Sequence, residues 1–203
     1  MAERVPIFPL HSILLPHTDL GLHVFEERYR SLVGHCLDSG EGFGVVLIRR
    51  GREVGGPAEP HSVGTMARIA GYARLPDGRY LLEVEGYRRF RIVDIDCSNE
   101  YPAAWVEHLP EAIGDFGVAR EHSEEAEKLL ASYRLRNGDG DVPLKLPVDP
   151  VARSYTIATM LAIDPPEKQT LLETETADVR LAREVSILRR EMALLDHIGS
   201  ERG

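Results

Sequence analysis

Near residue 110 the apolar residues of this chain change their spacing. Before it they form short alternating or continuous runs broken by proline and glycine; after it they recur in steps of three and four. A side-chain period near two belongs to strands and one near 3.6 to helices, so a β-rich part followed by a helical part is expected. With 203 residues, 43% of them hydrophobic and 28% charged, there is material for a real core in one domain with a smaller appendage. Disorder, collagen and a disulfide scaffold fit this composition poorly.

In the first part, Val5 to Leu10 is apolar and extended. Pro6 and Pro9 lack amide donors, which predicts an edge strand or one with irregular pairing. Leu20 to Val24 alternates as a second strand. Tyr29, Leu32, Val33, Cys36 and Leu37 then fall on one helical stripe, with Glu26 and Glu27 at its positive end and Gly40 as its stop. Phe43 to Ile48 is a continuous apolar run suited to a strand covered on both faces. Gly64 to Ile69, Tyr80 to Val84, Tyr87 to Ile95 and Ala103 to Leu109 follow, with a turn at Pro76-Asp77-Gly78. Short strands joined by turns imply a barrel or a strongly bent sheet.

In the second part the pattern predicts a helix from about Phe116 to Leu135, stopped at Asn137-Gly138. Asp149-Pro150 opens another in the order cap, then proline. Asp164-Pro165-Pro166-Glu167 repeats that device. Thr176 precedes a last helix carrying Leu181, Val185, Leu188, Met192 and Leu195, with Ile187, Leu194 and Ile198 beside them, a face expected to be buried within the molecule. The expected division is 1–110 for the β-rich part and 111–203 for the helical part.

Charge narrows the partners. The chain carries 24 basic and 33 acidic side chains, a formal −9, of which residues 101–203 hold −7 from 12 basic and 19 acidic groups. That surface suits a polyanion poorly, so nucleic acid is disfavoured. No apolar run is long enough to span a bilayer and the start lacks a signal-peptide core, so a cytoplasmic protein without membrane partners is expected. Cys36 and Cys97 form no C-x-x-C pair and read as buried or idle thiols.

Several segments together carry a family resemblance. Pro6-Ile7-Phe8-Pro9-Leu10, Leu15-Pro16 and Val24-Phe25-Glu26-Glu27-Arg28-Tyr29 resemble the opening signature of the Lon protease N-terminal, or Lon substrate-binding, domain. Gly64 to Ile69 and Gly86 to Ile92 resemble its later strand motifs in order and spacing. Lys168 to Glu173 with Val179-Arg180-Leu181 resembles its last segment. The pattern departs at Glu27, where the family often has proline, and at His17, where it often has glycine. The resemblance implies an α+β fold: a PUA-like bent β-barrel with one inserted helix, followed by a C-terminal α-helical bundle. It also implies a stand-alone member of the family that handles exposed segments of other proteins. No Gly-Lys dipeptide occurs, so the phosphate-cradling Walker A loop is absent, and no Ser-Lys protease region is present.

No constellation nominates a catalytic residue, metal site or cofactor. His11, His17 and His23 are too widely spaced for a typical zinc set. Ser31 and His35, four apart on a helix, lack an orienting acid and oxyanion donors. Gly40 to Gly44 lies between helix and strand, the reverse of a dinucleotide loop. Asn137 to Asp141 lacks the glutamate of a calcium loop.

The reading is therefore a non-enzymatic module that binds exposed apolar segments of client proteins or peptides, with a separate ATPase or protease as a candidate partner and no cofactor. Ile7, Phe8, Phe25, Tyr29 and Phe90 are its candidate client-binding positions, each equally suited to the core. The alternative is an RNA-binding PUA-like module using the Arg88-Arg89-Arg91 strand, against an ion-paired, solvated strand face. The client and the oligomeric state are not encoded in any motif.

Overall fold

The computed structural model describes residues 2–56, 58–96, 100–138 and 143–201, the side chains of 198–201 excepted. Cys97, the residues from Asp139 to Asp141 and the Ile198 side chain lie outside this description.

Five strands close into a ring: β1 (Glu3–Leu10), β3 (Phe43–Gly51), β5 (Val63–Arg74), β6 (Tyr80–Asp96) and β7 (Ala103–His108). Neighbours run β1-β7-β6-β5-β3, and β3 pairs back onto β1. Pro6 sits where β1 changes partner, and Pro9 lies within the second pairing. Glu3 to Pro6 pairs antiparallel with β7, then Ile7 to Leu10 pairs parallel with β3. The irregular-pairing alternative is therefore the one realised. β4 (Ala58–Pro60) pairs antiparallel with the end of β3, and β2 (Asp19–Val24) pairs with the first part of β6.

A bulge sets what β6 can do. Opposite β5, Met66 faces Arg88 but Ala67 faces Gly86, so Tyr87 is an extra residue and the facing of side chains reverses across it. Tyr80, Leu82 and Val84 join Phe8, Leu10, Leu22, Val24, Phe43 and Val45 under α1 (Glu27–Ser39), whose Tyr29, Leu32, Val33 and Cys36 fill that core. Beyond the bulge, Phe90 and Ile92 meet Val5, Ile7, Val46, Met66, Ala104 and Val106, side chains from all five ring strands. This second core is the barrel interior. An added Cβ on Gly44 or Gly64 would stand 2.6 or 2.7 Å from Phe90 Cζ, so both glycines make room for that ring.

Gly40 ends α1 in the left-handed conformation, its amide bonded to the Cys36 carbonyl. His17 is also left-handed, at φ 61°, where most L residues are strained. It is held there by hydrogen bonds around one residue of β6: His17 N donates to Gly86 O at 2.7 Å and Gly86 N to Thr18 O at 2.9 Å.

Two compact units emerge. The first holds residues 1–110 and 164–172, the second 111–163 and 173–203. Most of α4 (Pro165–Glu173) therefore belongs with the barrel. Gln169 Nε2 donates to Val63 O at 3.0 Å, and Arg89, 2% exposed, donates to the carbonyls of Leu172 and Pro110, each at 2.9 Å. The first of these acceptors lies in the last turn of α4, where helix carbonyls lack intrahelical partners and attract cations.

The second unit is built on α2 (Phe116–Arg136), α3 (Pro150–Met160) and α5 (Ala177–Glu201). Asp115 caps α2 through the Val118 amide and Asp149 caps α3 through the Ala152 amide. Leu181, Val185, Ile187 and Leu188 of α5 are buried, whereas Leu194 is half exposed. Arg180 lies with its guanidinium 3.8 Å from the Tyr155 ring centre and donates to Ser154 Oγ at 2.7 Å. No helix among the described residues is long and apolar enough to cross a membrane.

Candidate functional site

The first unit contains a pocket of about 280 Å³ between the end of β1, strand β2, the start of α1 and the loop that leaves β3. Its apolar wall is Phe8, Leu10, Leu22, Val24, Phe25 and Tyr29, and Glu26, Glu53 and Val54 border it. A dry cavity of about 150 Å³ accepts benzene, so this one has room for a large apolar side chain.

Local structure explains the aromatic wall. Phe8 points to the α1 side of the barrel wall and Tyr29 lies on the buried stripe of α1; their rings stack at 4.1 Å and 13°. The Arg28 guanidinium covers Tyr29 at 4.5 Å. Burial pushes the Tyr29 phenol up to about 12, the nearby Arg28 charge opposing it, so the ring stays neutral at physiological pH. Phe25, in the short link before α1, is 46% exposed at the mouth.

The loop over the mouth is tied down. Glu26 Oε2 accepts from Gly55 N at 3.1 Å, Arg28 Nη2 donates to Glu53 O at 3.3 Å, and Glu53 Oε2 accepts from His11 N at 2.7 Å. Beside the pocket, β2 pairs only with β6 among the described residues. Its other edge has no strand partner there, and alternate backbone groups of an unpaired edge can bond an added strand. Gly21 on that edge has no atom within 4 Å of where a Cβ would stand.

Of the five sequence candidates, Phe8, Phe25 and Tyr29 meet at this pocket. Ile7 and Phe90 do not: at 1% and 0% exposure they fill the barrel interior. The Ile7 amide donates to Pro102 O while its segment pairs with β3, so this stretch of β1 offers no open edge. Leu22, Val24 and Val54 were not singled out in the sequence; the alternation of β2 marked the first two as core, and nothing marked Val54. The Arg88-Arg89-Arg91 strand is not one basic surface. Arg88 and Arg91 are exposed, but Arg89 is buried because the Tyr87 bulge turns it under α4.

A closed five-strand ring with α1 inserted between β2 and β3, and a separate helical unit, make this an α+β fold. The chain belongs to the family described as the ATP-dependent protease La (LON) substrate-binding domain, whose family model matches residues 4–190. Lon protease 1 of Thermus thermophilus is 29% identical over 199 residues, covering 93% of this chain, and Lon protease 2 of Syntrophobacter fumaroxidans 27% over 209 residues, covering 97%. The chain spans about a quarter of the length of these curated relatives. Among solved structures, a Lon N-terminal domain protein from Xanthomonas campestris is 28% identical with a TM-score of 0.66, covering 91% of this chain and 98% of its own. The N-terminal domain of a Mycobacterium avium complex Lon protease shares the fold at 20% identity and a TM-score of 0.69, covering 92% and 98%.

Proposed function

We propose that this chain is a non-enzymatic module that binds exposed apolar segments of client proteins, and that the pocket of Phe8, Phe25 and Tyr29 is where they bind. One observation carries the reading: an aromatic pocket opens beside an unpaired strand edge in a member of the Lon substrate-binding family. An extended segment added along β2 gains backbone hydrogen bonds, and a side chain in the pocket gains burial at roughly 25 cal/mol per Å². Unfolded chains offer both features together, whereas folded ones hide them. A separate ATPase or protease is the kind of partner such a module would serve. The RNA reading loses its central residue with Arg89, which is committed to two backbone carbonyls.

The test is fluorescence anisotropy of labelled model proteins, each in a folded and a permanently unfolded form. Tighter binding of the unfolded form is expected. Gly21→Trp, which places an indole at the pocket without meeting an atom within 4 Å at Cβ, is expected to weaken it about tenfold. Equal affinity for both forms, or full binding by a folded Gly21→Trp protein, refutes the assignment.

A further inference from the structure

We propose that the segment taken up at this pocket has a lysine or arginine beside its large apolar residue. This rests on the client-binding reading above and adds the charge of the client. The charges at the mouth are out of balance. Glu26 and Glu53 both border the pocket; Arg28 pairs with the Glu26 carboxylate, and the Glu53 carboxylate has no ion pair among the described residues. Arg28 is already spent on the Glu26 carboxylate at 3.2 Å, the Glu53 carbonyl and the face of Tyr29.

Glu53 gives one oxygen to the His11 amide, and the other takes no hydrogen bond among the described residues. The neighbouring Arg79 does not alter this, since it is paired with Asp77 at 2.7 Å and stands 3.3 Å from the His23 ring. The mouth therefore keeps a carboxylate without an ion pair next to an apolar wall, where the lower local dielectric strengthens a Coulomb contact relative to open solvent. The carboxylates are also held in place by the amides of Gly55 and His11, so a cation meets them with little further ordering.

The strand edge supplies the geometry. A segment lying along β2 alternates its side chains, so residues next to the one in the pocket are carried past the rim rather than into the floor. A carboxylate in the same place would be repelled by Glu53, and the formal −9 of the whole chain disfavours acidic segments as they approach.

The experiment uses the full chain and two labelled, unstructured peptides of equal length. Each holds one phenylalanine in a glycine-serine background, flanked by arginine in one and by glutamate in the other. Anisotropy at low salt is expected to give about fivefold tighter binding of the arginine peptide, the scale of one partly exposed ion pair gained against one repulsion. The ratio should shrink at high salt. In Glu53→Gln, which keeps an acceptor for the His11 amide, it should fall towards one while thermal unfolding is unchanged.

Equal binding of the two peptides overturns the charge selection and leaves the client-binding reading standing. A ratio that survives Glu53→Gln overturns the assignment to this rim. Failure of both peptides to bind, together with no preference for unfolded proteins, overturns both readings.

Discussion

Arg89→Ala is expected to destabilise the first unit by about 3–4 kcal/mol. The magnitude follows from what the guanidinium holds. It donates to Leu172 O in a buried setting and to Pro110 O in a partly buried one, each at 2.9 Å. Stranding a buried acceptor costs roughly 1–3 kcal/mol, and the partly buried carbonyl belongs at the low end of that range. Removal of the packed side-chain stem adds a cavity cost of about 24 cal/mol per Å³ of unfilled space. Against these stands relief from burying a cation, which keeps the net below the plain sum.

Such a loss is a large part of the ~5–15 kcal/mol that usually separates folded from unfolded states. It should fall first on α4, whose last turn loses its donor. Urea denaturation followed by far-UV circular dichroism gives the change, and hydrogen exchange locates it. Arg89→Met, which refills the space but leaves the carbonyls without a donor, should recover part of the loss. Arg89→Lys, with a charge but no planar fork, should fall between Ala and wild type. A loss below about 1 kcal/mol in Arg89→Ala, or unchanged exchange in α4, would show that this guanidinium does not fasten the helix.

Glu184 should make the second unit sensitive to pH. Its side chain is fully buried, neither carboxylate oxygen has a hydrogen-bond partner among the described residues, and burial raises its pKa well above the usual carboxylate range despite the Arg180 charge. The folded protein then keeps this proton to higher pH than the unfolded chain, so the group favours folding at low pH and loses that contribution as pH rises through the raised value. Glu184→Gln should therefore melt above wild type at about pH 8, with the gap closing towards about pH 4.5; a gap independent of pH contradicts this. Gly64→Ala should cost about 1–3 kcal/mol, because its Cβ would stand 2.5 Å from Val45 O and 2.6 Å from Val46 Cγ1, whereas Gly21→Ala meets nothing within 4 Å and should stay within about 0.5 kcal/mol of wild type. Equal denaturation midpoints for the two variants would count against the close approach at Gly64.

The elements were legible where side-chain period and local chemistry agree. The α1 stripe from Tyr29 to Cys36, the stop at Gly40 and the aspartates before α2 and α3 are short-range matters, settled within one or two turns of chain. The prolines of β1 announced irregular pairing for an equally local reason: a residue without an amide proton cannot take its full part in a ladder. His17, named in the sequence as a departure from glycine, does occupy a left-handed backbone position. Phe8, Phe25 and Tyr29 could be nominated together, but their types alone could not separate them from Ile7 and Phe90, since a large apolar side chain serves a core and a binding wall equally well.

Tertiary structure decided that separation. The sequence by itself determined where most strands and helices lie, although Tyr80 to Val84 and Tyr87 to Ile95, read from it as separate strands, form one unbroken β6. It did not determine which face of β6 each residue joins, because the Tyr87 bulge reverses the alternation through pairing with β5, some twenty residues earlier in the chain. That reversal sends Phe90 into the barrel and Arg89 under α4, and it turns an apparent basic strand into a fastening for the helix. The pocket has the same origin. It lies where β2 and the end of β1 come near each other without pairing, a relation between segments that no local pattern of residues can encode.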